Sequence, residues 1–460
     1  MDLRGKRVTV VGFGIEGQAL AAYLCGQGAR VTVSDQRTEQ QLAEPIARLA
    51  GLPVTYRLGG NRVEDCVTAD VLFVSQGVPL DVPALLAARA AGVPCSSATR
   101  LFMERCPAPI IGVTGSAGKT TTTALVGRML QAAGLPTEVG GNNGRVLLDR
   151  LASLTPQHWV ALEMSHTQLE LTDRSPRVAL VTNISPSHAD RYPDMNEYIA
   201  LKEHVFVYQA PGDTLVLNWD DPVTQAMAAK AHGKVAWFSL TEEPPGEGAY
   251  LEDGALMLRS AGTTQAILQR SSIKLMGDHN VANVLAACAA TAVAGVPVAA
   301  MAAAVDGFPG VEHRLEWVRM LGGVDYYNDS IATTPERVMA GLRCFDRPVV
   351  LLAGGRHKHL PLDAWVGSVG QRCRAVVCFG EAGPYLQDAL TPTWGKAAAV
   401  ACVPSVSDAV VAAAELARAG DVVLLSPACT SFDAYPNFEA RGRDFRESVG
   451  RLGPLDAAGN

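Results

Sequence analysis

The sequence lacks any run of 18 apolar residues, and Met1 to Lys6 leads straight into a strand-like segment with no leader-like profile. Neither export nor membrane spanning is expected, and the reading is a cytoplasmic protein. An excess of basic charge is also missing. Lys and Arg number 39 against 46 Asp and Glu, a net charge of -7, which argues against nucleic acid or an anionic membrane as the main partner. It leaves an anionic substrate open, because local cations decide that. The ten cysteines form no C-x-x-C pair and no Cys/His zinc spacing. They read as reduced structural thiols rather than a disulfide framework or a zinc site. No internal repeat of short period is present.

What is there suits ordinary globular domains: 48% hydrophobic and 18% charged residues over 460 positions, a length that suggests about three domains. Apolar runs alternate with helix-like stretches throughout, the rhythm of an α/β chain with parallel sheets and crossover helices. The first region, 1–106, has such runs at Val8–Val11, Val31–Val33 and Val71–Val74. The second, 107–310, has them at Val160–Leu162, Val178–Thr182 and Thr214–Leu217. The third, 311–460, has them at Val349–Ala353, Ala375–Phe379 and Val422–Ser426. Pro or Gly marks the junctions, in Glu104–Pro109 and Phe308–Val311. Gly295 and Pro297 break the alanine-rich stretch Val284 to Ala304 into what read as two buried helices. The polar segment Glu242–Gly254 reads as a surface loop or hairpin.

The most informative stretch is Thr114-Gly115-Ser116-Ala117-Gly118-Lys119-Thr120-Thr121, between the apolar run Pro109–Val113 and the helix-like run Thr122–Leu130. In a strand–loop–helix context, glycines let the backbone approach a phosphate and the helix's first N–H groups point at it. Lys119 adds a point charge for the outer phosphates, and the Thr120 hydroxyl is placed for a magnesium ion. The bland alternative is a tight turn with a solvated lysine. In the first region Gly12-Phe13-Gly14-Ile15-Glu16-Gly17 follows the first strand and Asp35 follows the second, the outline of a dinucleotide fingerprint. Alone it says only that a phosphate-bearing or nucleotide ligand can approach.

Polar blocks recur after later apolar runs. Glu163, with Ser165 and Gln168 behind it, stands where a magnesium ligand sits at a strand's carboxyl end, or where an acid caps a helix. Asn183 to Arg191 brings His188, a metal ligand, a base or a structural imidazole. Lys202, in Tyr198–Lys202, would alone be a solvated helix lysine. Asn280 and Asn283 share a helix face and suit an adenine edge or a cap. In the third region His313-Arg314 and Asn328–Thr333 flank a hairpin-like segment. Gly354–Lys358 and Ser426–Asp433 follow apolar runs, and Asn437–Gly442 closes the set. All of these fall where a parallel sheet presents ligands.

The order of the blocks resembles the Mur ligases, ATP-dependent enzymes that add amino acids to the peptidoglycan stem peptide. T-G-x-x-G-K-T-T, the Glu163 segment, N-x-S-P-x-H-x-D-R, Y-x-x-x-K, G-x-H-N-x-x-N, and H-R-x-E with N-D-S-x-A-T match in sequence over essentially the whole chain. The ending around Ser426–Gly442 matches the glutamate-adding branch. The resemblance implies three domains: a Rossmann-like UDP-binding domain, a P-loop mononucleotide-binding central domain and a Rossmann-like C-terminal domain. It implies ATP at Gly115, Ser116, Ala117, Gly118, Lys119, Thr120, Thr121, Asn280, Asn283, Arg314 and Asp329. UDP-N-acetylmuramoyl-L-alanine would lie along Ile15, Asp35, Arg37, Gly77, Asn142 and Gln168, and glutamate at Thr333, Lys358, Ser431 and Phe438. Two magnesium ions would be served by Thr120, Glu163, His188 and a carbamylated Lys202, with Lys119, His188 and Lys202 in catalytic roles. A monomer is expected, with the third domain closing over the nucleotide.

The chain departs from the family pattern at Ile331, where lysine is usual, at Ser187, usually acidic, and at His166, usually serine. His357 and His359 are additions. These changes concern the amino-acid pocket more than the ATP site. Three readings follow: D-glutamate ligation, L-glutamate ligation by a sister enzyme, and, from another class, a nicotinamide-dependent oxidoreductase using Gly12–Gly17.

Overall fold

A computed structural model describes residues 2–142, 144–185, 194–358, 360–394 and 399–453. The chain divides into two compact units, one of residues 1–274 and 278–308, the other of 275–277 and 309–460.

The first unit holds two sheets. One has β1 (Arg7–Val11), β2 (Arg30–Asp35), β3 (Val54–Leu58), β4 (Val71–Val74) and β5 (Cys95–Ser96), all parallel, in the order β3-β2-β1-β4-β5. The order reverses beside β1, so the loop leaving β1 opens at the crevice where such sheets take ligands. That loop is Gly12–Gly14, followed by the helix Ile15–Gly26.

The other sheet comprises β6 (Ile110–Thr114), β7 (Thr137–Gly141), β8 (Trp159–Glu163), β9 (Val178–Val181), β10 (Thr214–Asn218), β11 (Lys234–Ser239), β12 (Gly248–Glu252), β13 (Ala255–Ser260) and β14 (Thr263–Gln269). Its order is β14-β13-β12-β11-β10-β9-β6-β8-β7. From β7 to β12 the pairings are parallel, and β13 and β14 add antiparallel. β6 lies between β8 and β9, so the chain leaving β6 is flanked by the carboxyl ends of both. β6, β9 and most of β8 are apolar and buried, as strands covered on both faces must be. The helix Lys119–Ala132 packs on the helix Asp278–Val293. The alanine-rich stretch does form two buried helices, Asp278–Val293 and Val298–Asp306. Of the two expectations for Glu242–Gly254, the hairpin holds in that β12 turns back antiparallel into β13, but β12 is no surface segment, since β11 and β13 flank it and Ala249 and Tyr250 are buried.

The second unit is a six-stranded sheet of β15 (Glu316–Leu321), β16 (Val324–Asn328), β17 (Val349–Gly354), β18 (Cys373–Phe379), β19 (Ala399–Val403) and β20 (Val422–Ala428). Its order is β15-β16-β20-β17-β18-β19, with only the β15–β16 hairpin antiparallel. The carboxyl ends of β16, β17 and β20 are therefore neighbours.

The turn after β1 is tight enough to be tested. A Cβ on Gly17 would stand 2.0 Å from the Gly12 carbonyl oxygen, which also accepts the Ser75 hydroxyl at 2.9 Å. Gly17→Ala is expected to cost about 1–3 kcal/mol by overpacking. A denaturant midpoint unchanged from wild type would contradict that geometry.

Candidate active site

The loop Thr114–Gly118 is held from behind by the chain that follows β9. Thr182 Oγ1 donates to the Ala117 carbonyl at 2.6 Å, and the Ala117 N–H donates to Asn183 Oδ1 at 3.0 Å. The Ser116 hydroxyl accepts from the Ser185 N–H and donates to its carbonyl, both at 3.0 Å. Gly115 has φ 141° and Gly118 has φ 82°. A Cβ on the first would meet Thr182 Oγ1 at 2.0 Å, and on the second Asn283 Oδ1 at 2.3 Å. Both glycines are thus required by backbone angle and by space. Lys119 folds back, its Nζ donating to the Gly115 and Ser116 carbonyls at 2.9 and 3.1 Å. Thr120 is half-buried in the first turn of the same helix, whose N–H groups face the loop.

Beneath the loop lies Lys202, on the helix Met195–Glu203 and only 1% exposed. It is no solvated helix lysine. Its Nζ donates to Thr114 Oγ1 and the Gly115 carbonyl, each at 3.2 Å, and lies 5.4 Å from the centre of the Tyr198 ring. Burial, and then the neighbouring Lys119 charge, bring its pKa down to about 7 against the opposing pull of Glu163. Glu163 ends β8 at 2% exposure. Its Oε1 accepts from Asn142 Nδ2 at 2.8 Å, and its Oε2 is buried with no hydrogen-bond partner among the described residues. Ser165, not Glu163, caps the helix His166–Leu169, in a capping box with Gln168. An orphaned carboxylate oxygen close to a phosphate loop fits a divalent cation, with Thr120 on the same loop. His188 and Ser187 lie outside the described residues.

Asn283 is mostly buried. It accepts from Thr122 Oγ1 at 3.3 Å and donates to Asn280 Oδ1 at 3.1 Å. The two amides share one face of their helix, and one of them props the start of the phosphate-loop helix.

In the β1–β5 sheet Asp35 and Arg37 form one unit. Arg37 Nε and Nη2 donate to the two Asp35 oxygens at 3.0 and 2.9 Å, and the Phe13 N–H donates to Oδ2 at 2.6 Å. Burial raises the Asp35 pKa, but Arg37 and the Phe13 amide outweigh it and hold the carboxyl below its usual range. Ile15 is exposed at the first position of its helix. Gln76, beside Gly77, accepts from Ser165 Oγ at 3.3 Å through its side chain, and its N–H donates to the buried Glu16 at 2.7 Å. Gly77, Asn142 and Gln168 are thereby gathered around Ser165 and Glu163. Sequence reasoning passed over Gln76 and Glu16, since an isolated amide and a first-turn acid carry no pattern.

In the second unit, Asp329 is buried at the end of β16. It accepts from Ser426 Oγ at 2.9 Å and from the Leu315 N–H at 3.3 Å. Burial lifts its pKa to about 7, opposed by Ser426, the Leu315 amide, Arg314 and Arg337. The Arg314 Nε is buried without a partner among the described residues. Lys358 Nζ lies 3.4 Å from Thr333 Oγ1, its pKa lowered by burial and by Arg337. Arg337 donates to the carbonyl of Ile331, the position where the resemblance leads one to expect lysine. It was missed because one arginine in a helix's first turns gives no signal. Ser431 is buried, and Phe438 opens the final helix, with its carbonyl accepting from Ser330 Oγ at 2.8 Å. His313 and Ala428 take left-handed φ of 64° and 60°, backbone strain of the kind that gathers at functional sites. His357 stacks on Tyr385 with centroids 4.5 Å apart, and the His166 ring centre lies 6.4 Å from that of Tyr198. His359 lies outside the described residues.

A phosphate loop over a buried lysine and an orphaned carboxylate suits an enzyme that uses ATP, and the relatives of the chain are ligases. The chain belongs to the Mur ligase family. Family models for the "Mur ligase MurD-like, N-terminal domain", the "Mur ligase middle domain" and the "Mur ligase, glutamate ligase domain" match residues 6–97, 113–291 and 313–429. Among curated relatives, the UDP-N-acetylmuramoylalanine--D-glutamate ligase of Symbiobacterium thermophilum is 43% identical over 97% of this chain and 98% of its own. The enzyme of the same name from Acetivibrio thermocellus is 38% identical over 98% and 97%. Of solved structures, the UDP-N-acetylmuramate-alanine ligase MurC of Thermotoga maritima aligns with a TM-score of 0.61 at 19% identity, covering 97% of this chain and 99% of its own. MurF of Acinetobacter baumannii aligns at 0.58 and 15%, covering 95% and 93%. At those identities the likeness is one of fold, the three-domain α/β architecture expected from the sequence.

The buried Asp329 carboxyl gives a pH signature. The folded protein keeps its proton up to about pH 7, whereas the unfolded chain releases it near 3.8. The native state thus binds more protons in that window, and stability falls as pH rises across it. Asp329→Asn is expected to gain on wild type by up to about 1.4 kcal/mol per pH unit between those values, then hold level. Chemical denaturation at a series of pH values checks this, and parallel curves would refute it.

Proposed function

We propose that the chain joins D-glutamate to UDP-N-acetylmuramoyl-L-alanine, with ATP cleaved to ADP and phosphate, in cytoplasmic peptidoglycan precursor synthesis, and acts as a monomer. The observation that carries this reading is the buried Lys202 and orphaned Glu163 oxygen around the phosphate loop, in a chain with full-length relatives named for D-glutamate ligation. Among the described residues no helix is long and apolar enough to cross a membrane.

A carboxylate resists amines because its oxygen leaves poorly. Phosphoryl transfer converts it to an acyl phosphate, the amine of glutamate attacks the carbonyl carbon, and phosphate departs from the tetrahedral intermediate. The protein's task is to position charged groups and neutralise them. In this reading the amides of Gly115 to Thr121 and the Lys119 ammonium hold the outer phosphates. Asn280 and Asn283 meet the adenine, and Arg314 and Asp329 serve the nucleotide. Magnesium ions, two in this proposal, would offset the negative charge of the phosphates. Thr120, the free Glu163 oxygen, His188 and a carbamylated Lys202 would hold them. With a pKa brought down to about 7, Lys202 presents a large share of uncharged amine near neutrality, the form that takes up carbon dioxide. Ile15, Asp35, Arg37, Gly77, Asn142 and Gln168 line the nucleotide-sugar substrate. Thr333, Lys358, Ser431 and Phe438 receive glutamate, with Lys358 as the partner of a carboxylate.

The D-enantiomer is preferred on the names of the relatives. The nicotinamide reading has no support among the full-length relatives, which are named as ligases. ADP release with UDP-N-acetylmuramoyl-L-alanine and each glutamate enantiomer is the deciding measurement. D-glutamate is expected to exceed L-glutamate by at least about a hundredfold in kcat/KM. The Lys119→Ala enzyme should lose about three orders of magnitude in turnover. Equal rates with L-glutamate would favour the sister ligase, and full activity of Lys119→Ala would sink the ligase reading.

A further inference from the structure

Arg441, three residues into the final helix from Phe438, is fully buried and has been given no role above. Its Nε donates to Ser330 Oγ at 3.0 Å and its Nη2 to the Ser330 carbonyl at 2.8 Å. Its Nη1 reaches the carbonyls of Cys429 and Thr430, both at 3.1 Å, and that of Gly354 at 3.4 Å. Those acceptors are the roots of separate segments. Ser330 leaves β16 and lies three residues before Thr333. Gly354 ends β17, four before Lys358. Thr430 follows β20 and immediately precedes Ser431. Arg441 itself lies one helical turn beyond Phe438, and Ser330 Oγ closes the ring by donating to the Phe438 carbonyl. One planar guanidinium therefore fastens all four segments that carry the glutamate contacts. Gly355 leaves room for it: a Cβ there would stand 2.9 Å from Arg441 Nη1 and 2.1 Å from the Thr430 carbonyl.

The charge is as notable as the geometry. Every acceptor is a carbonyl or a hydroxyl, and Arg441 makes no ion pair among the described residues. The carboxylate whose charge it feels most, Asp433, accepts from the Glu381 N–H at 3.2 Å. Burial lowers the guanidinium's pKa only to about 10, so it stays charged at neutral pH. A desolvated cation without a paired anion is costly for stability alone, and a neutral side chain of similar volume would avoid that cost.

We propose that Arg441 is the positioning residue of the amino-acid pocket: it sets the mutual placement of Thr333, Lys358, Ser431 and Phe438, and its unpaired charge favours an amino acid that carries two carboxylates. This rests on the reading of that pocket as the glutamate site. Wild-type ADP release on adding glutamate tests that reading, separately from any variant.

The inference is tested with Arg441→Lys, which keeps the charge but not the fork, and Arg441→Met, which keeps neither. Steady-state kinetics and thermal melting are measured on each. Arg441→Met is expected to raise KM for glutamate at least about thirtyfold while KM for ATP moves less than about threefold. Arg441→Lys should recover part of that loss. A folded Arg441→Met enzyme with unchanged KM for glutamate, or one whose two KM values rise together, would overturn the proposal. Should Arg441→Met not fold, Ser330→Ala decides. It removes the shared hydroxyl and is expected to raise KM for glutamate about fivefold at near-normal melting temperature. No rise there would overturn the proposal equally.

Discussion

Lys202 sits out of water beneath a loop that already carries Lys119, and much of the middle domain's site follows from that arrangement. Two ammonium groups in one low-dielectric corner repel, and the strength of that repulsion depends on how little water reaches them. The fold leaves Lys202 two compensations, the carbonyl and hydroxyl oxygens of Gly115 and Thr114 and the more distant charge of Glu163. The result is a lysine that sheds its proton easily and a glutamate with one oxygen to spare. Neither is a stable resting point for a protein core. The site thus carries electrostatic demands that its own described residues leave unmet.

The second unit handles charge differently. Arg314 and Lys358 in loops, and Arg337 and Arg441 in the first turns of helices, stand at one end of its sheet, where burial also raises the pKa of Asp329. These cations contact carbonyls and hydroxyls more than carboxylates, which leaves their field available to an anionic substrate. The strained backbone at His313 and Ala428 lies in the same loops, so strain and desolvation are concentrated at one edge of an otherwise regular sheet.

Much of this was legible in the residues. The phosphate loop announced itself because glycine spacing, the preceding apolar strand and the following helix agree. The strands Val71–Val74, Val349–Ala353 and Val422–Ser426 were legible because a strand buried on both faces must be apolar at every position. β12 was legible only as one arm of a possible hairpin, because it follows a Pro- and Gly-rich turn, and the exposed β14 was not, because a strand at the edge of a sheet mixes polar and apolar residues. The burial of Lys202 could not be read from local sequence either, since a helix lysine looks the same on either face. Only the match to the family's Y-x-x-x-K block pointed to it. Gln76, Glu16 and Arg441 are set by contacts between segments distant in sequence, which no local pattern encodes.

Gly118 and Asn283 are separated by 165 positions, yet the missing Cβ of one is the space filled by the amide of the other. Any larger residue at 118 collides with Asn283, and shortening Asn283 alone removes the acceptor for Thr122 and the donor for Asn280. A change at Asn283 therefore disturbs the start of the phosphate-loop helix, and a change at Gly118 displaces Asn283. The two positions form a locked pair: a substitution at either has to be matched at the other.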